Sequence, residues 1–244
     1  MKVIDELLAL VPDGETEQVT VGLHWTAVVG QAAGERRCGL ASTLTGLRPH
    51  GEVDVPQAGQ LDQMSMRELA ALAATDNLTL RSIGIAAINA LLPPLPERWV
   101  ERDAEEVIAQ AGAGKTVALV GHFPFIPRLR TRLGQLFVLE QNPGPGEYPA
   151  EAAVELVPQA DVVAITSMTL LNGTLDGLLA LRRAEARVLL LGPSTPLHPL
   201  LFDYGVAMLS GVMVTAVDPV LHTIQQGAVF RQVRKAGVRL VTMT

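Results

Sequence analysis

The chain has 244 residues, of which 48% are hydrophobic and only 18% charged, and its mean hydropathy is +0.29. That composition excludes disordered and fibrous classes and is enough to bury a sizeable core without staples. The 19 Lys+Arg against 25 Asp+Glu give a net charge of −6 with no local basic run, which excludes a large nucleic-acid footprint. A lone cysteine, Cys38, forms neither an internal disulfide nor a cysteine-based zinc site, so a reducing cytoplasm is expected. Asp5 and Glu6 interrupt the apolar N-terminal stretch MKVIDELLALVPDGE, which neither a secretory signal nor a membrane span tolerates, so no membrane partner is expected.

Val3, Ile4, Leu7, Leu8 and Val11 recur at helical spacing and predict an amphipathic first helix. In EQVTVGLHWTAVVG the period changes to two. Val19, Val21, Leu23, Trp25, Ala27 and Val29 alternate with Thr20, His24 and Thr26, which predicts one half-buried strand with His24 on its solvated face. GQAAGERR follows as a turn and RCGLAS as a returning strand. Ser65 with Glu68 makes a capping box before MRELAALAA, and a second helix runs from Thr79 to Leu92. Pro93, Pro94 and Pro96 end it and divide the chain into an α+β part, residues 1–95, and a second part, residues 96–244.

Beyond the prolines, the aliphatic runs TVALVG, LFVLE, DVVAIT and RVLLLG alternate with IPRLRTRL, PAEAAVELV and LDGLLALRR, segments of helical length. Such alternation predicts a mainly parallel sheet covered on both faces, and hence an α/β fold class. VAMLS and VRLVTM read as later strands, with the helix PVLHTIQQG between them ending at Gly227. Two tempting motifs fail on context. AQAGAGKT has Ala109 where a phosphate-binding loop needs its first glycine, and it precedes a strand instead of following one. After TVALVG comes GHFPFIPRLR, with one glycine where a dinucleotide fingerprint needs three.

Ligands of open parallel sheets bind beyond the carboxyl ends of the strands. The residues there are Gly121, His122, Phe123 and Pro124; Glu140, Asn142 and Pro143; Thr166, Ser167 and Thr169; and Gly192, Pro193, Ser194 and Thr195. Glu140 is the candidate acid/base and His122 the polariser or proton donor. Ser194 and Thr195 would hold an anion at the N-terminus of a helix beginning near Pro196. Local roles compete: Ser194 and Thr195 as plain helix caps, Asn172 as the cap of a helix at Thr174, and Asn142 with Pro143 as a turn. The five histidines, His24, His50, His122, His198 and His222, include no pair at the spacing of a zinc-binding helix. His122, His198 and Glu140 are the set that would form a mixed nitrogen and oxygen site for a transition metal across the rim.

SIGIAAINALL, VALVGHFPF, LEQNPGPGEYPAEAAVELVPQADVVAITSMTLLNGTLDGLLAL and VLLLGPSTPLHPLLFDYGVAMLSGVMV together resemble the putative heavy-metal chelation domain family. They cover much of residues 82–214 in order. The resemblance implies an enolase-N-like domain followed by a Rossmann-like domain, with a site at their junction. Carried onto this chain it marks Asn89, Gly121 to Pro124, Glu140, Asn142, Thr169, Asn172, Thr174 and Pro193 to Pro196, with Gly39 to Thr43 as a turn facing the same cleft. The resemblance implies a role in heavy-metal chelation or in chelator metabolism, while the strand-end residues point to an anionic small molecule or a metal chelate, with a transition metal as the candidate metal, and a homo-oligomer is compatible with the pattern. Two other functions fit the same residues: a small-molecule enzyme using Glu140, and a nucleotide or S-adenosylmethionine binder. The loop from Gly46 to Gln60 and the stretch from Pro93 to Arg102 are the expected first sites of proteolysis.

Overall fold

The computed structural model describes residues 2–46 and 54–244, so His50 and the loop segment 47–53 lie outside the described residues. Helix α1 (Lys2–Leu10) buries Val3, Ile4 and Leu7, the stripe its spacing predicts. Strands β1 (Glu15–Val21), β2 (Trp25–Ala32) and β3 (Glu35–Ser42) then form an antiparallel sheet in sequential order, with β3 at one edge. The single strand expected over residues 17–30 is two strands. The chain reverses between Val21 and Trp25, where Gly22 N donates to Trp25 O at 2.9 Å. The expected phase is also reversed in β1, since Thr20 is buried, Val21 is exposed and Leu23 at the turn is 71% exposed. A helix near the other end of the chain, Val217–Gln225, packs against β1 and β2, so the face that covers Thr20 is set by a distant segment. His24 is exposed, as expected.

Ser65 caps helix α2 (Met66–Ala71) through the predicted capping box with Glu68, and Asn77 caps helix α3 (Leu78–Leu91) by accepting from Leu80 N. Helix α3 lies across β2 and β3 and buries nearly every residue, which is why its apolar pattern runs around the helix instead of along one face.

The second part begins with β4 (Trp99–Val100), α4 (Ala104–Gly112) and β5 (Thr116–Val120), so AQAGAGKT spans the end of α4 and the turn into β5. Next come α5 (Ile126–Leu129), β6 (Gln135–Glu140), β7 (Tyr148–Pro149), α6 (Ala153–Leu156), β8 (Val162–Thr166), α7 (Met168–Leu171), α8 (Leu175–Leu181) and β9 (Arg187–Leu191). The chain ends with α9 (Leu200–Asp203), β10 (Val206–Val214), α10 (Val217–Gln225), α11 (Phe230–Gly237) and β11 (Val238–Met243). The eight strands run in the order β4-β11-β10-β9-β8-β5-β6-β7, parallel from β10 through β7 and antiparallel at β11 and β4. The fold is therefore a two-part α/β architecture with a mainly parallel sheet, the expected class. Strands β5, β8 and β9 carry the continuous aliphatic runs and are buried through their centres, because helices cover both faces.

Two helical expectations are corrected. IPRLRTRL keeps only its first turn, α5, and no helix begins near Pro196, since residues 195–198 carry no regular structure and α9 starts at Leu200. Prolines at 193, 196 and 199 deny the amide hydrogens and the backbone freedom a helix needs there. Among the described residues, no helix is long and apolar enough to cross a membrane.

Candidate functional site

The antiparallel layer meets the parallel sheet along the free edge of β3. In an antiparallel strand, alternate residues turn their backbone groups away from the neighbour. Leu40 and Ser42 are such residues, and both are satisfied from outside their own sheet. Asn89 Nδ2 donates to Leu40 O at 2.9 Å and to Ser194 O at 3.3 Å, while Ser42 N donates to Ser194 Oγ at 2.8 Å. The turn after β9 is thus stitched to β3 and α3. Ser194 is wholly buried by this contact and its hydroxyl already accepts a backbone amide, so it is not the open anion donor the sequence suggests. With no helix at Pro196, the turn also lacks the expected positive dipole end.

Next to these bonds lies a cavity of about 210 Å³, bounded by β3, the end of α3, the turn at 193–197 and β10. Its walls mix polar groups with apolar ones, Leu92, Leu197, Val212 and Met213 among the latter. Four buried polar atoms without a hydrogen-bond partner belong to residues in these same walls: Arg37 Nε, Asn89 Oδ1, Trp99 Nε1 and Thr195 Oγ1. Thr195 is only 3% exposed. Leaving such an atom unpaired costs about 1–3 kcal/mol, and four of them belong to the walls of this one cavity. Cys38 also lines the cavity, and burial pushes its thiol up to about 12, so it stays protonated at neutral pH. Arg36 is engaged elsewhere, with Glu17 at 2.6 Å and Asp218 at 2.7 Å, and the Arg37 terminal nitrogen pairs with Glu35 at 3.0 Å. Of the residues the sequence marks, Gly39, Leu40, Asn89, Pro193 and Thr195 line this cavity, and the segment expected as a turn at Gly39 to Thr43 is strand β3 as far as Ser42. Arg37 and Trp99 were missed, since nothing local connects an arginine on a strand with a tryptophan sixty residues on.

The remaining marked residues sit along the strand ends. Strand β5 has β6 on one side and β8 on the other, so the topology reverses there. Gly121 follows β5 with φ +107°, and a Cβ there would lie 2.9 Å from Thr166 Cβ. Gly192 follows β9 with φ +128°, and its Cβ would lie 2.6 Å from Ser167 Oγ. Glycine is thus required at both strand ends.

His122 is 64% exposed at its side chain, and its Nδ1 is 2.6 Å from Glu147 Oε1, a carboxylate only 7% exposed. Glu147 Oε2 accepts from Gly144 N at 2.8 Å, and this bond, followed by the one to His122, holds the carboxyl below its ordinary value against the opposing effect of burial. Glu140, in contrast, accepts from its neighbour Gln141 N at 2.7 Å. The carboxylate that meets His122 is therefore Glu147, which the sequence reading passed over. Its only signal was its position closing the turn NPGPGE.

His198 Nδ1 accepts from Leu200 N at 3.2 Å, and burial, then the charge of Arg98, lowers its pKa. The expected metal set of His122, His198 and Glu140 is not formed. Each of the three is turned to a local partner, and among the described residues no three His, Cys, Asp or Glu side chains gather to hold a metal ion. Asn172 Oδ1 accepts from Thr174 N and Oγ1, at 3.1 and 2.7 Å, which is its local turn role. Thr169 Oγ1 is buried against Thr166 O at 2.7 Å. Phe123 stacks on Phe125 with centroids 5.0 Å apart, while Pro124 and Asn142 are exposed.

Two domain-family models match the chain, DUF4213 over residues 4–92 and DUF364 over residues 103–243, each described as putative heavy-metal chelation. An uncharacterized protein of Methanocaldococcus jannaschii is 27% identical over 207 residues, covering 82% of this chain and 78% of its own. A crystal structure of a protein of unknown function from Desulfitobacterium hafniense superposes with a TM-score of 0.84 at 27% identity, covering 100% of this chain and 98% of that one. One from Pyrococcus horikoshii, at 22% identity and the same coverage, superposes at 0.82 and shares the fold. With its two halves matched in order by the paired models, the chain belongs to the family described as putative heavy-metal chelation.

Proposed function

We propose that this protein binds a small anionic molecule, free or as a metal chelate, in the cavity between β3 and β10. The observation that carries this reading is the set of four buried, unpartnered polar atoms on residues that line one cavity. Arg37 Nε, Trp99 Nε1 and Thr195 Oγ1 are able to donate, and the first belongs to a cation, so the complement is an acceptor-rich anion. The outward-facing backbone N–H of Cys38 on the edge of β3 adds a further donor by strand alternation.

A bare heavy-metal ion does not fit this donor set. The walls hold a single thiol and a single carboxylate, Glu35, already paired with Arg37, which is too few ligands to close a metal site. A metal would arrive here already ligated by a small molecule. The size of about 210 Å³ falls below the roughly 300–1,000 Å³ of pockets for drug-sized ligands, which argues against a nucleotide or S-adenosylmethionine. In this reading residues 1–95 form an enolase-N-like unit and residues 96–244 a Rossmann-like one, and the ligand sits where they meet.

Native mass spectrometry with elemental analysis of the purified protein tests the proposal. A small molecule should travel with the wild-type protein and be lost from Thr195→Val, which removes one hydroxyl and keeps the shape. Equal retention by both proteins would place the molecule elsewhere and reject the cavity.

The His122–Glu147 pair favours a second reading, an enzyme acting at the strand-end rim. A carboxylate held on Nδ1 fixes the imidazole so that Nε2 faces solvent as a proton acceptor. Turnover of a co-purified molecule that falls in His122→Gln and in Glu140→Gln while its binding persists would support this reading. Loss of affinity with no turnover in wild type would support the binder.

A further inference from the structure

We infer that the cavity takes a small α-hydroxy or α-amino carboxylate with an apolar arm, in its metal-free form; this rests on the reading of the cavity as an anion site. The four unpaired atoms are not alike. Arg37 Nε and Trp99 Nε1 only donate, Thr195 Oγ1 both donates and accepts, and Asn89 Oδ1 only accepts. A simple carboxylate would satisfy the donors and leave Asn89 Oδ1 buried and unpaired. The ligand therefore carries a donor close to its anionic group.

The walls bring these atoms together. The Asn89 amide nitrogen bonds Ser194 O, so its oxygen lies beside Thr195. Arg37 shares a face of β3 with Gly39, whose missing side chain lets α3 approach until a Cβ would stand 2.3 Å from Ala90 N. Donors from β3 and the turn and an acceptor from α3 thus belong to the walls of one cavity. A carboxylate with a hydroxyl or amine on its α carbon presents acceptors and a donor on neighbouring atoms, the combination these four groups call for. The remaining walls, Leu92, Leu197, Val212 and Met213, suit an aliphatic arm, and the volume excludes a second large group.

The metal-free form follows from the same atoms. An α-hydroxy or α-amino carboxylate chelates a metal through a carboxylate oxygen and the α oxygen or nitrogen, closing a ring. Those are the groups that Arg37, Trp99, Thr195 and Asn89 would engage. Metal and protein then compete for one face of the molecule, and the protein holds a chelating unit in its unloaded state.

Calorimetric titration of the full chain with leucine, its α-hydroxy analogue and isocaproate, which has neither group, provides the test. The hydroxy or the amino acid should bind about tenfold more tightly than isocaproate, the scale of one hydrogen bond with its buried partner left unpaired otherwise. Which of the two binds distinguishes the sources. Trp99→Phe, which keeps the ring and removes the N–H, should weaken that binding about tenfold, and Asn89→Leu should erase the preference over isocaproate. Adding excess Cu(II) should lower occupancy. Because Asn89 also ties α3 to β3, Trp99→Phe carries the result if Asn89→Leu fails to fold. Tighter binding of the copper complex would overturn this inference, and sensitivity of that binding to Thr195→Val would leave the cavity reading standing. Equal binding of isocaproate, or no binding of any of the three, would also overturn it, whereas a co-purifying molecule lost in Thr195→Val would still support the cavity.

Discussion

Gly39 sits where β3 meets α3, and a Cβ there would come within 2.0 Å of Ala86 O and 2.3 Å of Ala90 N. Backbone cannot yield to that overlap as a flexible side chain can, so the close approach that frames the cavity depends on this one missing side chain. Ser194 shows the opposite case, a polar residue whose role changed once its partners were visible. At the rim, Glu147 is stabilised in its charged form by Gly144 N and His122, so its native pKa lies below the ordinary value of 4.5. A lowered native pKa adds stability that is fully present above the unfolded value and is lost as pH falls through the native one. Glu147→Gln should therefore be less stable than wild type at about pH 7, with the gap closing at about pH 3. Urea midpoints at the two pH values check this, and a gap that persisted in acid would mean the carboxylate charge is not what holds the loop. None of this was legible beforehand. Glu140 ends an aliphatic strand and draws the eye, whereas Glu147 gains its partner only because the loop after β6 folds back toward the end of β5.

The hairpin joining β2 and β3 turns on Ala33 and Gly34, with φ +52° and +79°, and Ala32 pairs with Glu35 across it. Both central residues have positive φ, the geometry that matches strand twist and prefers asparagine followed by glycine. Ala33 is the non-glycine residue with positive φ among the described residues, and an alanine there costs roughly 1–2 kcal/mol. Ala33→Asn should raise stability by roughly 1 kcal/mol and Tm by about 2–4 °C, read by calorimetry. An unchanged or lower Tm would mean the turn is already relaxed. Elements with strong local signals were legible: the capping box at Ser65, the proline-ended α3, and the aliphatic runs of β5, β8 and β9. The turn at Gly22 was not, because Leu23 and Trp25 continue the alternation of β1 into β2 and mimic one long strand. The short helices α7 and α9, each of four residues, are too brief for a period to show. The cavity was legible through Gly39, Leu40, Asn89, Pro193 and Thr195, whereas Arg37 and Trp99 come to it by tertiary contact alone.

At the scale of the whole molecule, the two parts share one core. Val3, Ile4 and Leu7 of α1 belong to the same buried cluster as Ile83 and Ile88 of α3 and as Val188, Leu190, Val206 and Leu209 of the parallel sheet. Lys2 lies over the Tyr204 ring at 5.9 Å, and Arg81 donates to Leu171 O at 3.2 Å, so both ends of the first part are fastened to the second. Removing either part would expose a wide apolar face, and burying such area is the main favourable term in folding. The proline segment between them is nonetheless open, with Pro93, Pro94, Pro96, Glu97 and Arg98 exposed. A protease should therefore cut there while the fragments stay associated, because the covalent link contributes little beside the shared core. Limited proteolysis followed by gel filtration should give two fragments eluting together at the size of the intact chain, and residues 96–244 expressed alone should show no cooperative thermal transition. If the nicked fragments separate, or if residues 96–244 unfold cooperatively with wild-type Tm, the parts are independent domains and the cavity between them is free to open with each relative motion. If they stay together, the cavity keeps its shape without ligand, and binding has only the small molecule itself to order.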